Sequence, residues 1–211
     1  MTRSKNQLLV ATVLSAVAFL SLATAVAFRL TQPFDTTALL RIHSGATPYW
    51  DSFFITITQF GGSIIVTIAS ILILGVLLLL KKRRKAVFFS LVMVGMLLLN
   101  ILFKDLIGRH RPDAAGWLIP ETGMSFPSGH ATAVMALGLA LCILLWNTSW
   151  RWAAVGCATA YIAVVSFSRL YLGVHYPSDI VGGWLLSIAW VSAVVLIVRL
   201  PYRHVAKVNE P

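Results

Sequence analysis

Carboxylates are scarce in this chain. Its 211 residues hold seven Asp and Glu against 17 Lys and Arg, and charged residues of both signs amount to only 11%. Together with 58% hydrophobic residues and a mean hydropathy of +0.85, that shortage excludes an ordinary soluble domain and places the chain in a bilayer, with length for several spans. Cysteine is nearly absent. Cys142 and Cys157 both lie inside apolar runs, which excludes a disulfide framework and reads them as small packing residues. The carboxylates of the polar segments, Asp105, Asp113, Glu121 and Asp179, form neither a tight cluster in sequence nor a His-x3-His pattern. No metal site and no cofactor are therefore expected. An internal repeat of the kind that builds many transporters is also missing. The net charge of +10 comes in short clusters without the interleaved aromatics of a nucleic-acid groove, so no nucleic-acid partner is expected and the charge reports membrane topology.

What is present is a series of apolar runs. Arg3 and Lys5 precede the run Leu8 to Phe28, and Ala23-Thr24-Ala25 within it resembles a signal-peptide cleavage site. The run is longer than a usual signal core, which favours an uncleaved span. The mixed segment Arg29 to Gly62, with Pro33, Pro48, Tyr49, Trp50, Phe53 and Phe54, is expected to form short amphipathic helices at the membrane surface. Further spans are expected over residues 63–80, 86–103, 131–146, 152–167 and 180–198. The expected fold class is all-α, a polytopic membrane protein of six transmembrane helices forming one domain over residues 1–211. The five adjacent basic residues Lys81 to Lys85 resist translocation and fix their hairpin tip in the cytoplasm. Alternation from that point puts both termini in the cytoplasm, with eleven Lys and Arg inside and six outside.

The six outside are the informative ones. Lys104, Arg109, Arg111 and Arg169 lie in two segments that emerge on the same face as Pro127-Ser128-Gly129-His130, and cations kept on the disfavoured side point to an anion. The Pro-Ser-Gly-His turn opens into an apolar helix. It places Ser128 at an N-cap, Gly129 where backbone approaches a ligand, and His130 in the first turn, which outlines a phosphate or carboxylate site. Farther on, His175 precedes Asp179 by four residues, with Pro177 suited to the first turn of the last span. Asp179 is then placed to reach back to one ring nitrogen of His175, fixing its tautomer and leaving the other nitrogen nucleophilic. Singly, these pieces read as a capped helix, snorkelling cations and a capping Asp.

Together, Lys104-x6-Arg111-Pro112, Pro127-Ser128-Gly129-His130 and Ser168-Arg169-x5-His175-x3-Asp179 resemble, in order and spacing, the three-part signature of the type 2 phosphatidic acid phosphatase family. The resemblance implies a six-span membrane enzyme with its site at the outer mouth of the bundle, on the non-cytoplasmic face. It implies that His175 is the nucleophile forming a phosphohistidine, Asp179 its orienter and His130 the acid for the leaving group. Lys104, Arg111 and Arg169 would hold the phosphoryl oxygens, helped by Ser128 and the Gly129 amide. The physics of phosphoryl transfer agrees, since charge spread over three oxygens calls for cations and a helix N-terminus, which can act without metal.

Other classes fit less well. Vanadium-dependent haloperoxidases resemble these phosphatases at the site but are large and soluble, and an anion channel or transporter would carry charges within its spans. The expected activity is hydrolysis of a lipid phosphate or diphosphate whose tail stays in the bilayer of the cell (inner) membrane. Undecaprenyl diphosphate is favoured, with phosphatidylglycerophosphate, phosphatidate and lipid A phosphates as alternatives. Residues 113–126, with Trp117 and Glu121, and residues 29–62 are where head-group choice is sought. The topology is directly testable: reporters fused after Lys85 and at the C-terminus should report cytoplasm and one within residues 113–126 the outside. A cytoplasmic signal from the last would put the site on the wrong side.

Overall fold

The computed structural model describes residues 2–112 and 117–199. Asp113 and the basic tail residues Arg203 and Lys207 lie outside the described residues. Eight helices follow one another: α1 (Thr2–Ala27), α2 (Gln32–His43), α3 (Pro48–Gln59), α4 (Ser63–Leu79), α5 (Arg83–Ile107), α6 (Gly129–Leu145), α7 (Arg151–Tyr171) and α8 (Pro177–Val198). No strand occurs among the described residues. Helix is the form that satisfies every backbone N–H and C=O inside hydrocarbon without a partner chain, so apolar runs of this length have little alternative.

Four helices, α1, α5, α7 and α8, are long and apolar enough to cross a membrane. A fifth crossing arises if α3 and α4, which meet at a 41° bend, are taken as one. The remaining apolar helix, α6, has 17 residues, or about 25 Å at 1.5 Å per residue, somewhat short of a ~30 Å hydrocarbon layer. The chain is thus an all-helical, multi-pass membrane protein with four to five candidate spans.

Segment 29–62 does form two helices, but their buried faces are turned onto the bundle. α2 packs against α7 and α8, and α3 against α7, burying Asp35, Phe54 and Thr58. Both helices start with Pro in the first turn, where its missing N–H costs nothing. α6 and α8 form the centre, with α6 packed on α5, α7 and α8, and α8 also on α1 and α5. Leu9, Val13, Leu14 and Val17 of α1 and Ile71, Leu72 and Leu79 of α4 point outward, as lipid-facing residues do.

Small residues let the central helices approach closely, the usual device where lipid supplies no hydrophobic drive between helices. A Cβ on Gly95 would stand 2.2 Å from the Trp190 ring, and one on Gly182 would stand 2.4 Å from the fully buried Phe126. The Trp190 indole donates to the Leu91 carbonyl at 3.0 Å, locking α8 to α5. At the other kind of glycine, Gly108 closes α5 in the left-handed region at φ 61° and donates its N–H to the Lys104 carbonyl, which turns residues 109–112 back over the helix end.

The two ends of the bundle differ. Lys81 and Lys82 lie in the turn after α4 and Arg83 to Lys85 in the first turn of α5, where the Lys85 ammonium donates to the Leu144 carbonyl at the end of α6 at 2.8 Å. The opposite end gathers the C-terminal ends of α5 and α7 and the N-terminal ends of α6 and α8. All eight expected site residues belong to that end.

Gly183 tests this packing. A Cβ there would stand 2.8 Å from Thr132 Oγ1, 3.1 Å from the Thr132 amide and 3.2 Å from the Ser128 carbonyl, so backbone would have to yield. Gly183→Ala should therefore destabilise by about 1–3 kcal/mol and lower the thermal midpoint in detergent. Gly75→Ala, with nothing within 4 Å, should not; equal midpoints would show that α6 and α8 can part freely.

Candidate active site

The site begins at the mouth of α8. Pro177 occupies its first turn and the Asp179 carboxylate accepts the Tyr176 amide at 2.8 Å, the half of a capping box that holds a carboxylate over a helix start. Asp179 is fully buried. Its Oδ2 also accepts from the Ser125 hydroxyl and faces His175 Nδ1 at 3.3 Å, while its Oδ1 accepts from Arg109 at 2.7 Å.

His175 lies in the turn between α7 and α8 with 1% exposure. Its Nε2 stands 3.0 Å from an Arg111 guanidinium nitrogen. A guanidinium only donates, so Nε2 is the acceptor and the ring proton resides on Nδ1, toward Asp179. Burial pushes the imidazole down to about 4, against the opposing pull of Asp179 and with Arg169 and Arg111 adding to the fall. His175 is neutral near pH 7, with a lone pair directed at the cations.

Those cations come from three places. Lys104, in the last turn of α5, donates to the Met124 carbonyl. Arg111 fans out to the carbonyls of Gly123 at 3.1 Å, Thr122 at 3.0 Å and Val174 at 2.9 Å. Arg169, near the end of α7, is fully buried, gives one nitrogen to Thr58 Oγ1 at 2.9 Å and leaves its Nε without a partner. Glu121 sits between two of them, paired with Arg169 and 3.4 Å from Arg111. Burial raises the Glu121 carboxyl, but Arg169 and then Arg111 outweigh it and hold the group below the usual carboxylate range.

The Pro-Ser-Gly-His turn faces this group. The Ser128 amide donates to the Asp179 carbonyl at 3.1 Å, tying the start of α6 to the start of α8. Ser128 occupies the N-cap position as expected, yet its hydroxyl makes no capping bond and is buried without a partner. The first-turn amides of α6 therefore have no side-chain cap, and a buried unpaired hydroxyl calls for a missing acceptor or donor. A Cβ on Gly129 would meet only Asn100, at 3.5 Å, so the protein's own packing does not demand glycine there. His130 lies beside the Gly61–Gly62 turn, where a Cβ on Gly62 would stand 3.9 Å from Nε2, within electrostatic reach of Arg169, His175, Arg111 and Lys104.

The structure thus brings all eight sequence-derived residues to one end of the bundle. It adds others that sequence reasoning did not place there. Arg109 was visible only as one more outside cation; it is paired at 2.7 Å with both Asp35 and Asp179. Asp35, Thr58, Asn100 and Ser125 gave no signal in sequence except, for Asp35, membership of a very small acidic set. Asn100 donates to the Pro127 carbonyl at 3.3 Å and to Thr132 at 3.2 Å, bracing the turn. Among the described residues no three His, Cys, Asp or Glu side chains converge as metal ligands would.

A multi-pass helical membrane protein with a neutral histidine on a buried carboxylate, set among cations at a helix N-terminus, is thereby defined. Residues 85–203 match the PAP2 superfamily, and the chain belongs to it. An undecaprenyl-diphosphatase of Sulfolobus acidocaldarius is 44% identical over 71 residues, 34% of this chain and 32% of the relative. A lipid A 1-phosphatase of Rhizobium johnstonii is 38% identical over 120 residues, 53% of this chain and 46% of the relative. These alignments span a third to about half of the relatives' length. The crystal structure of a transmembrane PAP2 type phosphatidylglycerolphosphate phosphatase from Bacillus subtilis superposes with a TM-score of 0.78 at 26% identity, covering 87% of this chain and 93% of that one.

The state of His175 has a stability consequence. Its folded pKa, about 4, lies below the ordinary 6.5, so the unfolded chain takes up the proton first as pH falls. The neutral ring's contribution is complete above about pH 6.5 and is lost down to about pH 4, up to about 3 kcal/mol. The thermal midpoint in detergent should drop across that window, and the drop should be shallower in His175→Gln. An identical slope in the variant would show that other groups carry it.

Proposed function

We propose that this chain is an integral-membrane lipid phosphatase working through a phosphohistidine, with no metal. The observation that carries the reading is His175, with Nδ1 on Asp179 and Nε2 3.0 Å from Arg111, beside the unpartnered Ser128 hydroxyl and Arg169 Nε. Lys104, Arg111, Arg169, Ser128 and the Gly129 amide bind the phosphoryl oxygens, so Glu121 gives up its arginines to the incoming phosphate. The negative charge of the bound phosphate offsets the cations around His130 and lets it take up a proton from solvent; His175 Nε2 then attacks phosphorus, the bond from phosphorus to the leaving oxygen breaks, and His130 gives that oxygen its proton. Asp179 holds the Nδ1 proton and the positive ring. A water then attacks phosphorus with His130 accepting its proton, the N–P bond breaks, and inorganic phosphate leaves with His175 neutral again. Splitting one slow displacement into two in this way is the general gain of a covalent nucleophile.

A lipid substrate is supported by an apolar cavity of about 460 Å³ between α4, α5 and α6, lined by residues such as Ile71, Phe89, Met93 and Leu97 and reaching His130. A lipid tail can lie there while the phosphate meets the cations. The membrane arrangement we favour has six spans in a single domain, α6 and α4 each crossing once. The termini are cytoplasmic and the site is at the outer, periplasmic or extracellular mouth, because the Lys81–Lys85 basic cluster occupies the other end of α5. Undecaprenyl diphosphate is the favoured substrate, in keeping with the identity to an undecaprenyl-diphosphatase. Phosphatidylglycerophosphate is the second reading, supported by the extensive structural likeness to the Bacillus subtilis protein.

Phosphate release from a side-by-side panel of these lipids, phosphatidate and lipid A phosphates tests both class and substrate. Activity should survive excess chelator and be inhibited by vanadate; loss in chelator restored by magnesium would sink the mechanism. With a labelled aryl phosphate, whose leaving group needs little protonation, His130→Ala should still form an acid-labile, base-stable phosphoenzyme and His175→Ala none. The reverse pattern would exchange the two roles.

A further inference from the structure

The mechanism above leaves one buried ion cluster unused. Asp35, on α2, is fully buried. Its Oδ2 accepts from Arg109 at 2.7 Å and from the Ser178 hydroxyl at 2.5 Å, and its Oδ1 from the Ser178 amide at 3.0 Å. Arg109 gives its other terminal nitrogen to Asp179 Oδ1 and Ser178 Oγ, both at 2.7 Å, reaches Gln32 at 3.3 Å, and lies 4.0 Å above the Tyr176 ring. With both terminal nitrogens held by fully buried carboxylates and an aromatic face against it, this guanidinium is already neutralised, whereas Arg111 and Arg169 share the single carboxylate of Glu121.

Its arrangement does something else. Asp179 has two oxygens and four donors. Arg109 anchors Oδ1, which turns Oδ2 toward Tyr176 N, Ser125 and His175 Nδ1. Charge matters as much as geometry. Arg109 alone would cancel Asp179 and leave the imidazole facing a neutral pair. With Asp35 the trio carries one net negative charge, and attack by Nε2 while Nδ1 keeps its proton leaves the ring cationic, in need of that charge. The other charged or titratable groups around His175 are Arg111 at Nε2, Arg169 from α7, His130 from α6 and Glu121 from the loop, with Lys104 from α5 facing Asp179. All the cations among them oppose a positive ring, so the negative trio behind Nδ1 is the counterweight.

We infer that Arg109 and Asp35 are positioning residues of the active site: Arg109 aims the Asp179 carboxylate at His175, and Asp35 offsets the guanidinium so that one net negative charge remains to stabilise the charged ring. This rests on His175 being the nucleophile, and it makes α2, which lies before the 85–203 family match, part of the machinery.

The sign of each substitution is fixed by the charge count. In Arg109→Gln the trio becomes more negative and His175 should titrate about one pH unit higher than in the unmodified protein. In Asp35→Asn the negative charge is cancelled, His175 should titrate no higher than normal, and phosphoenzyme formation from an aryl phosphate should slow about tenfold, the same energy as one pH unit. Asp35→Asn with Arg109→Gln restores one negative charge and should label faster than Asp35→Asn alone. Arg109→Lys keeps the charge and gives up the fork, so its His175 should titrate normally while labelling slows.

The experiment is an NMR titration of ¹³C-histidine-labelled full-length protein in detergent, His175 being assigned by its loss in His175→Ala, alongside rapid-quench labelling of each variant. A structural role alone would lower the folded fraction without moving the His175 titration and would make the double variant the worst. A His175 titration unchanged in Arg109→Gln, or a double variant slower than Asp35→Asn, overturns the inference. Should Arg109→Gln not fold, the Asp35→Asn and Arg109→Lys pair decides: the inference falls if Asp35→Asn labels at the normal rate. Normal labelling of His175→Ala would instead refute the nucleophile assignment, while the titration shifts would still report the charge coupling.

Discussion

A carboxylate with no access to water holds this protein's working end together. Asp179 is ionised and buried at the mouth of a membrane helix, where an unpaired charge would cost several kcal/mol. Its neighbours are arranged to prevent that. Donors come from the turn before α8, from the loop ahead of α6 and from the segment after α5, and the Asp179 backbone carbonyl takes the Ser128 amide. Each donor fixes one otherwise irregular segment. The orientation of His175, the position of the Pro-Ser-Gly-His turn and the return of residues 109–112 all follow from satisfying one buried charge.

The apolar body has a different logic. Lipid solvates Leu and Ile as well as a protein core does, so the helices gain their order from close approach and from polar ties. Gly95 against Trp190 and Gly182 and Gly183 against Phe126 and Thr132 set how deeply α8 sinks between α5 and α6. That depth in turn sets the level at which the start of α8 meets the start of α6. A methyl added at Gly183 would press on Thr132 and on the Ser128 carbonyl, the backbone at the start of α6. Packing in the apolar layer and chemistry at the polar end are therefore coupled through rigid helices.

Positive charge is concentrated by the same economy of acidic residues seen in composition. Glu121 is shared between Arg111 and Arg169, and Asp35 and Asp179 both go to Arg109, leaving Lys104 on a backbone carbonyl. Lys104, Arg111 and Arg169 are thus only partly compensated, which is the electrostatic condition for drawing in an anion. Arg109, by contrast, is doubly compensated and turned away from that task.

Much of this was legible in the sequence because bilayers and helix ends impose short-range rules. Runs of apolar residues determine helices, since hydrocarbon leaves the backbone no other partner, and the spacing of Lys104, Arg111, Ser128, His130, Arg169, His175 and Asp179 pointed to the segments that the fold brings together at one end of the bundle. Local geometry was also within reach: a Pro at the start of α8 and four residues between His175 and Asp179 suffice to bring ring and carboxylate together. Only the tertiary structure decided the rest. That Ser128 would leave its cap unmade, that Arg109 would face carboxylates while Arg111, two residues on, faced the imidazole, and that Asp35 would complete the cluster from α2 depend on contacts between residues as far apart as 35 and 178. Sequence periodicity carries no information about such contacts, because they are selected by the need to neutralise buried charge after the helices have packed.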